Sequence, residues 1–407
     1  MVQAIVVGAG MVGLATAWHL QEYGVDVTVI DRGGVAAGSS WGNAGWLTPG
    51  KAIPLADPSL WAYGPRALLD PDAALHVPVR VDFGLWAFLA RFAAHGTRRS
   101  WDTAMAALTP IDRIALACFD ELDAGGVQSW TQPGPFLIAF EKPSDATGFL
   151  REIDGANRHG QQVPLSRLAD PQAHCPVLSN RVGAAYRLDG QRFLEPGPYL
   201  AALGEAVLAR GARLLTGGAV VAVDAAARPG VRLADGQQLA ADAVVIATGA
   251  WLPELARGLG VRTRVQAGRG YSFTVKTDRP VEHPLYLPRQ RIACTPYQGR
   301  FRIAGTMEFR RPEEPLQPRR IQAIVNQVRP LLTGVDLDDR HDEWVGSRPV
   351  TPDGLPLVGA TRAPGVYVGG GHGMWGMVLG PATGKMLAKR IVTGQTDPTI
   401  APFDPLR

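Results

Sequence analysis

The sequence is poor in lysine and has no cluster of positive charge. Only five of the 41 basic residues in this 407-residue chain are lysines, and the arginines are scattered. A Lys/Arg-rich run of the kind that binds nucleic acid is therefore missing, and we expect no nucleic-acid partner. A formal net charge of +4 is instead typical of an enzyme that attracts small anions.

Cysteine is also scarce. Cys118, Cys175 and Cys294 lie far apart, and none of them belongs to a Cys-x-x-Cys pair or a Cys/His cluster. This spacing argues against a disulfide framework and against a zinc site. We expect three buried thiols and no bound metal.

Long apolar runs are missing as well. The apolar stretches are too short, or too interrupted by glycine, to span a bilayer. The first predicted strand begins near Val2, which leaves no room for a signal peptide. We expect a cytoplasmic protein without a transmembrane segment, and peripheral association with the inner face of the cell membrane stays open.

The first 31 residues of the sequence predict a βαβ unit. The apolar run at Gln3–Val7 is typical of a parallel strand buried on both faces, and helical spacing of apolar residues follows until Gly24. A second strand at Val25–Ile30 completes the unit. Because 407 residues exceed what one core usually supports, we expect two domains.

A glycine-rich turn joins this first strand to its helix. Gly8 permits the tight turn, Gly10 lets a pyrophosphate approach the backbone, and Gly13 lets helix and strand pack closely. Met11 and Val12 begin the helix, whose N-terminus offers N–H donors to phosphates. The segment therefore predicts a dinucleotide site.

The residues after the second strand indicate which dinucleotide is bound. Asp31 is predicted to accept hydrogen bonds from the adenosine ribose, and its charge disfavours a 2′-phosphate. Arg32 leaves an NADP-type site open, although the sequence has no second Gly-x-Gly-x-x-Gly for a pyridine nucleotide.

Glycine-rich segments near the C-terminus favour a flavin over NAD. Gly369–Gly376 leads directly into a helix, whose N–H groups can face the flavin N1/C2=O edge. Ala247–Trp251 follows another buried strand and is expected to approach the dinucleotide, with Val220 or Val221 beside the adenine. The cofactor residues assigned in these parts are Val221, Thr248, Gly249, Trp251, Gly371, His372, Gly373, Met374 and Trp375.

The rest of the chain predicts an interleaved α/β protein. Residues 40–81 lack periodicity, helical patterns cover Phe83–Ala94 and Thr109–Leu122, and residues 270–309 alternate as in an antiparallel sheet. We predict a Rossmann-type FAD-binding domain from residues 1–80, 196–260 and 341–407. Residues 81–195 and 261–340 are assigned to a substrate-binding domain built on a mainly antiparallel sheet.

Over nearly its whole length the chain resembles the D-amino-acid oxidase superfamily, and within it the bacterial D-amino-acid dehydrogenases. The resemblance rests on Val6–Gly13, Ser39–Gly45, Gly270–Ser272, Arg291–Ala293, Arg302–Thr306, Arg348–Gly359 and Gly371–Gly373. It implies non-covalent FAD and adds Ser39, Ser40, Asn43, Ala44 and Gly45 to the cofactor site.

By the same resemblance Arg348 binds the substrate carboxylate and lies beside the flavin. A planar guanidinium matches a carboxylate with two parallel hydrogen bonds. The alternative is a structural ion pair between Arg348 and Asp353 or Asp342. Tyr271 and Tyr297 are candidates either to donate a phenol proton to the carboxylate or to form the pocket wall.

The implied reaction is oxidation of a small amino acid, with hydride transfer from the α-carbon to flavin N5 and hydrolysis of the imino acid to a 2-oxo acid and ammonia. This step needs only a neutral amine, so His372 is assigned to the catalytic site as a residue that shapes the flavin side. The electron acceptor is a quinone, an electron-transfer partner or O₂.

Two alternatives stay open. One is an O₂-using oxidase of glycine, sarcosine or a cyclic secondary amine, and the other is a flavin subunit that needs a partner for activity. Trp46 and the loop at residues 51–78 depart from the dehydrogenases, and a Trp-lined site favours a hydrophobic or cyclic substrate such as a D-proline derivative.

Overall fold

The computed structural model describes residues 2–70, 72–78, 80–129 and 131–407. Within those residues ten α-helices are formed. They are α1 Met11–Glu22, α2 Leu60–Leu69, α3 Phe83–Ala94, α4 Arg98–Ala124, α5 Thr147–Arg158, α6 Pro171–His174, α7 Pro196–Ala209, α8 Leu252–Ala256, α9 Pro318–Val328 and α10 Gly376–Thr393.

The same residues form strands in four sheets. The strands are β1 Gln3–Val7, β2 Asp26–Asp31, β3 Trp46–Leu47, β4 Leu75–His76, β5 Thr131–Pro133, β6 Phe136–Phe140, β7 Leu165–Leu168, β8 Ala184–Leu188, β9 Arg192–Leu194, β10 Arg213–Thr216, β11 Val220–Asp224, β12 Gly230–Leu233, β13 Gln238–Ala240, β14 Ala243–Ile246, β15 Gln266–Val275, β16 Leu285–Leu287, β17 Ile292–Tyr297, β18 Arg300–Phe309, β19 His341–Val350, β20 Leu357–Ala360 and β21 Val366–Gly370.

A six-stranded sheet holds the predicted nucleotide site. Its order is β10-β2-β1-β14-β21-β20, and all neighbours are parallel except β20 and β21. Strands β1 and β14 are almost wholly buried, as near-continuous apolar runs predict for a covered parallel sheet. Helices α1 and α10 pack closely, and a Cβ added at Gly384 would lie 2.6 Å from the Ala15 carbonyl carbon.

A nine-stranded sheet forms the second layer of the molecule. Its order is β19-β15-β18-β17-β16-β6-β8-β7, with β4 paired to β18. The pairs are antiparallel except β16 with β6 and β4 with β18. Helix α9 buries Ile324 and Val325 in the core of this sheet. The predicted fold class, a Rossmann-type sheet combined with a mainly antiparallel sheet, is confirmed.

Two elements lie outside the part to which the sequence assigned them. Strand β19, within the predicted FAD-binding segment 341–407, hydrogen-bonds to β15 of the antiparallel sheet. Helix α4, within the predicted substrate segment, buries Leu108 and Phe119 in the same core as Leu14 of α1 and Leu387 of α10. The predicted division into domains stays a prediction. Which part an element joins depends on pairing and packing with elements that are distant in sequence.

Helix α4 is also longer than the sequence predicts, because it begins at Arg98 and passes through Pro110. The sequence predicted a helical pattern only from Thr109, although a proline removes one helical N–H and here the helix continues through it. Burial of Trp101 and Met105 against Ala156 stabilises the preceding turns. Helix α2 and strand β4 form within residues 40–81, where no periodic element was expected.

Within the described ranges, no α-helix is both apolar and long enough to pass through a lipid bilayer.

Candidate active site

The turn between β1 and α1 has room only for glycine at two positions. Gly8 has φ of 115°, and a Cβ added there would lie 2.4 Å from the Ala247 carbonyl oxygen. A Cβ at Gly13 would lie 1.9 Å from the Gly8 oxygen. At Gly10 an added Cβ would meet only Ser40 Oγ, at 3.3 Å. The turn is therefore packed against protein at Gly8 and Gly13 and open at Gly10.

Asp31 holds the loops on both sides of this turn. Its Oδ2 accepts the Ala9 N–H at 2.9 Å, and its Oδ1 accepts the N–H groups of Gly33 and Gly34 at 2.8 and 3.0 Å. Carboxylate oxygens have further lone pairs, so Asp31 can still accept from a ribose hydroxyl. It has a structural function in addition to the predicted ribose contact.

A groove of about 550 Å³ runs past this turn and the carboxyl ends of the parallel strands. Its size falls within the roughly 300–1,000 Å³ of small-molecule and cofactor sites. The predicted cofactor residues that line it are Gly8, Gly10, Met11, Val12, Asp31, Arg32, Ser39, Ser40, Asn43, Val221, Thr248, Gly249, Trp251, Arg348, His372, Gly373 and Met374.

Five predicted cofactor residues do not line the groove. Ala44 and Trp375 line only the adjoining chamber, and Gly13, Gly45 and Gly371 line neither cavity. These three glycines act through the backbone: Gly13 permits close packing, while Gly45 and Gly371 have φ of 73° and 72°.

The groove fits a dinucleotide by its polar groups. Thr248 Oγ1 is buried without a hydrogen-bond partner among the described residues, so it is left for a ligand. Neither α1 nor α10 has an acidic residue in its first turn. Their N-termini therefore remain favourable for phosphates and for a developing negative charge.

His372 lies in the groove wall as a neutral side chain. It is buried, and its Nε2 is 2.9 Å from Thr383 Oγ1 on α10. Burial lowers the pKa of His372 to about 4. This geometry agrees with a residue that shapes the flavin side rather than one that carries a charge at neutral pH.

A smaller chamber of about 180 Å³ adjoins the groove. Ser39, Asn43, Arg348 and Met374 line both cavities, so these residues mark the boundary between them. The chamber is smaller than most drug-sized ligand sites, and a substrate of a few heavy atoms beyond its reacting carbon would fill it.

Arg348 is the cation at that boundary. Its Nη1 donates to the Thr306 carbonyl at 3.0 Å, and its guanidinium lies so close to Gly270 that a Cβ there would be 2.2 Å from Cζ. Burial lowers the pKa of Arg348 to about 10, so it stays charged at neutral pH. Among the described residues no carboxylate pairs with it.

The two acids proposed as structural partners of Arg348 are engaged elsewhere. Asp353 binds Arg407 through both oxygens, at 2.9 and 3.2 Å. Asp342 accepts from Thr274 Oγ1 at 2.7 Å and from Arg300 at 3.3 Å. The structural ion-pair alternative is therefore wrong for these residues.

The two tyrosines have different positions. Tyr271 lines the chamber, but its hydroxyl donates to Glu308 Oε2 at 2.8 Å. The only hydroxyl proton of Tyr271 is therefore already donated to Glu308, and its ring forms part of the chamber wall. Tyr297 donates to the Asn43 carbonyl at 3.2 Å and lines neither cavity. Of the two alternatives for Tyr271, the geometry favours the pocket wall.

Lys51, to which the sequence assigned no role, lines the chamber but not the groove. Its ammonium forms an ion pair with Glu152 and lies 4.9 Å from the Phe149 ring centre. Burial, with Arg291 nearby, lowers the pKa of Lys51 to about 7, and the negative charge of Asp57 opposes this shift. A single lysine in an irregular loop produces no periodic signal by which its burial could be predicted.

Other lining residues were also missed. Arg291 and Thr306 stood in segments that carried the resemblance but had no assigned function, and Thr48 was not singled out. Glu254 and Leu255 of α8 line the groove directly after the segment at residues 247–251. Their adjacency to that segment was the available signal.

The parallel sheet, the glycine turn and the joined cavities define a flavin-dependent oxidoreductase. A profile of the family described as FAD dependent oxidoreductase matches residues 3–390, so the chain belongs to this family. It is an FAD-dependent enzyme of the amino-acid dehydrogenase and oxidase type, and the predicted cofactor and superfamily are confirmed.

Individual relatives agree. The D-amino acid dehydrogenase of Paramagnetospirillum magneticum is 30% identical over 97% of this chain and 95% of its own length. That of Rhizorhabdus wittichii is 28% identical over 95% of both. The solved glycine oxidase of Geobacillus kaustophilus shares the fold with a TM-score of 0.78 and 20% identity, over 100% of this chain and 99% of its own.

Proposed function

We propose that this protein oxidises the C–N bond of a D-amino acid, with Arg348 binding the substrate carboxylate. The observation that supports this most directly is the position of Arg348: it is a charged arginine at the boundary between groove and chamber, and no carboxylate of the described residues pairs with it. Even a half-buried cation without an anion is unfavourable, and a substrate carboxylate supplies the missing charge.

The residues at the boundary fix the substrate's orientation. Two parallel hydrogen bonds from the guanidinium hold the carboxylate in one plane, which aims the α-carbon at the groove. FAD, when bound in the groove, accepts the hydride that leaves the α-carbon. Gly270 leaves space for this arginine, and the Thr306 carbonyl holds its Nη1 in place.

The chamber also favours the neutral amine that the reaction requires. None of the described residues lining it is Asp or Glu, whereas Lys51, Arg291 and Arg348 are basic. Nearby positive charge disfavours an ammonium, so the substrate amine loses its proton more readily there. Because the substrate amine is already neutral when it reacts, the reaction does not need His372 or another side chain to act as a strong base.

The D configuration is proposed because D-amino acid dehydrogenases match nearly the whole chain at 28–30% identity. An O₂-using oxidase of glycine or a secondary amine is the competing proposal, and the fold shared with glycine oxidase agrees with both. The electron acceptor is a quinone, an electron-transfer protein or O₂. When the flavin is reduced in the absence of any acceptor, the substrate preference can be measured independently of which acceptor the enzyme uses.

The test is anaerobic reduction of the purified holoenzyme by matched D-amino acids, L-amino acids and N-methyl amino acids, followed by the loss of flavin absorbance. We expect D-amino acids to reduce the flavin fastest, and one flavin per chain to be released on denaturation. Faster reduction by glycine, sarcosine or L-amino acids would contradict the proposal. Reoxidation with air or with a quinone analogue then identifies the acceptor class.

A further inference from the structure

Polar groups are unevenly distributed between two ends of the chamber. Arg348 stands where the chamber meets the groove, and the Thr306 carbonyl accepts from its Nη1, whereas Lys51 and Arg291 line the chamber alone. Lys51 and Arg291 are near each other and near Tyr286, whose ring centre is 5.8 Å from Lys51 Nζ. The chamber thus has one basic end beside the groove and a second basic end away from it.

Each end also has a buried hydroxyl without a partner among the described residues. Thr306 Oγ1 is one, in a residue with φ of 54°, and its carbonyl is the one that binds Arg348. Thr48 Oγ1 is the other, three residues before Lys51, whose N–H donates to the Thr48 carbonyl at 3.0 Å. Buried hydroxyls normally form hydrogen bonds, so each end of the chamber can accept a polar group of a ligand.

Much of the remaining chamber wall is apolar and aromatic. Trp46 packs edge-to-face on Tyr286 with ring centres 5.5 Å apart, and its Nε1 is satisfied by Thr295 Oγ1 at 2.9 Å. Such a wall suits a short chain of methylene groups. The presence of Trp46 alone favours a hydrophobic or cyclic substrate, but the basic second end opposes a wholly apolar one.

We infer that the chamber accepts amino acids with a second carboxylate, which Lys51 binds together with Arg291 and Thr48 while Arg348 binds the first. The inference rests on the proposed function of Arg348. The second carboxylate stands either on the side chain, as in D-glutamate and D-aspartate, or on a substituent of the nitrogen, as in N-carboxymethylglycine. Substrates with a basic side chain are repelled.

The ion pair between Lys51 and Glu152 does not remove this second end. Glu152 is absent from the residues that line the chamber, and its side chain is about one-third exposed, at 34%. It therefore contacts the ammonium from outside the chamber. An ammonium has three donors, so Lys51 can bind Glu152 and a substrate carboxylate together.

The test compares isosteric pairs that differ in one charge. For the holoenzyme we expect D-glutamate to exceed D-glutamine, or D-aspartate to exceed D-asparagine, by roughly thirtyfold in kcat/KM, the scale of a charge-assisted hydrogen bond. N-carboxymethylglycine against its monoamide tests the other position of the carboxylate. Equal rates within all three pairs would overturn the inference.

Two variants separate binding from structure. Lys51→Met keeps the apolar stem and should reduce the preference for the acidic member by about tenfold or more. Glu152→Gln removes the same ion pair but leaves the ammonium, and it should keep the preference. If both variants lower all rates equally, Lys51 is structural and the inference is wrong. Arg291→Gln should have a smaller effect, because Arg291 is exposed.

A binding measurement without turnover completes the test. Glutarate and its monoamide are titrated into the holoenzyme, and the change in the flavin spectrum or in Tm is recorded. We expect glutarate to bind about tenfold more tightly than the monoamide, and Lys51→Met to abolish the difference. If no amino acid reduces the flavin but glutarate is preferred, the proposed function fails and the second anion site stands. The reverse result overturns the site alone.

Discussion

Replacement of Arg348 by alanine should damage substrate oxidation severely while leaving the flavin bound. The guanidinium already donates from Nη1 to Thr306, and no described residue accepts from Nη2 or Nε, so these two can form parallel bonds with a carboxylate. Loss of this charged pair is worth about 2–4 kcal/mol in binding and orientation, or roughly thirtyfold to a thousandfold in kcat/KM. Arg348→Lys should recover only part of it, because an ammonium cannot form both bonds in one plane.

Stability should change little in the same variant. The Thr306 carbonyl loses one hydrogen bond, worth about 1 kcal/mol, but a half-buried cation that no described carboxylate pairs with is removed at the same time. These two effects oppose each other, so we expect a Tm change within about 4 °C. A structural role for Arg348 would instead lower Tm strongly and release the flavin.

The deciding assay is anaerobic flavin reduction by a D-amino acid and by the amine that lacks its carboxylate. The parent enzyme should prefer the acid strongly, and Arg348→Ala should slow the acid while scarcely affecting the amine. Arg302→Ala is a matched control, since Arg302 is buried on β18 but lines neither cavity. Equal losses for acid and amine in Arg348→Ala would refute the assignment of Arg348 to the carboxylate.

Three further predictions concern residues around the same cavities. Gly270→Ala places a Cβ 2.2 Å from Arg348 Cζ, so it should raise KM for amino acids about tenfold or more at constant flavin content; unchanged kinetics would show that the guanidinium can move without loss. Gly10→Ala meets only Ser40 Oγ in the protein, so the apoprotein should keep its Tm while FAD binds about tenfold or more weakly, as measured by equilibrium titration. His372 has a pKa lowered to about 4, so its contribution to stability is complete above pH 6.5 and is lost as pH falls towards 4; His372→Gln should show a flatter Tm curve over that range, and an unchanged slope would contradict this.

Local sequence patterns predicted individual elements in both parts of the molecule. The strand predicted at Gln3–Val7 and the helix predicted at Phe83–Ala94 have the predicted bounds. These elements depend on short-range periodicity and on glycine at places where a Cβ would collide with backbone, as at Gly13. FAD could be predicted because both glycine-rich segments border strands of one sheet.

The substrate chamber was harder to predict because its walls come from distant parts of the chain. Arg291 and Arg348 are brought to one chamber by pairing among β17, β18, β15 and β19, and nothing in the local sequence fixes that register. Lys51 reaches the same chamber from a short turn after β3, a strand of another sheet. Tyr271 illustrates the limit: its place in the wall follows from alternation along β15, but its bond to Glu308 depends on the neighbouring strand.

The position of Arg348 is fixed by backbone as much as by side chains. Strand β19 belongs to the antiparallel sheet, yet the chain leaves it at Val350 and enters β20 of the parallel sheet at Leu357. The Gly373 N–H donates to the Pro349 carbonyl at 2.9 Å, which joins β19 to the loop that opens α10. A carboxylate held by Arg348 is thereby placed relative to the flavin-facing loop. A change that shifts this junction should alter substrate binding and hydride transfer together, whereas a change at Lys51 should alter only which substrate is bound.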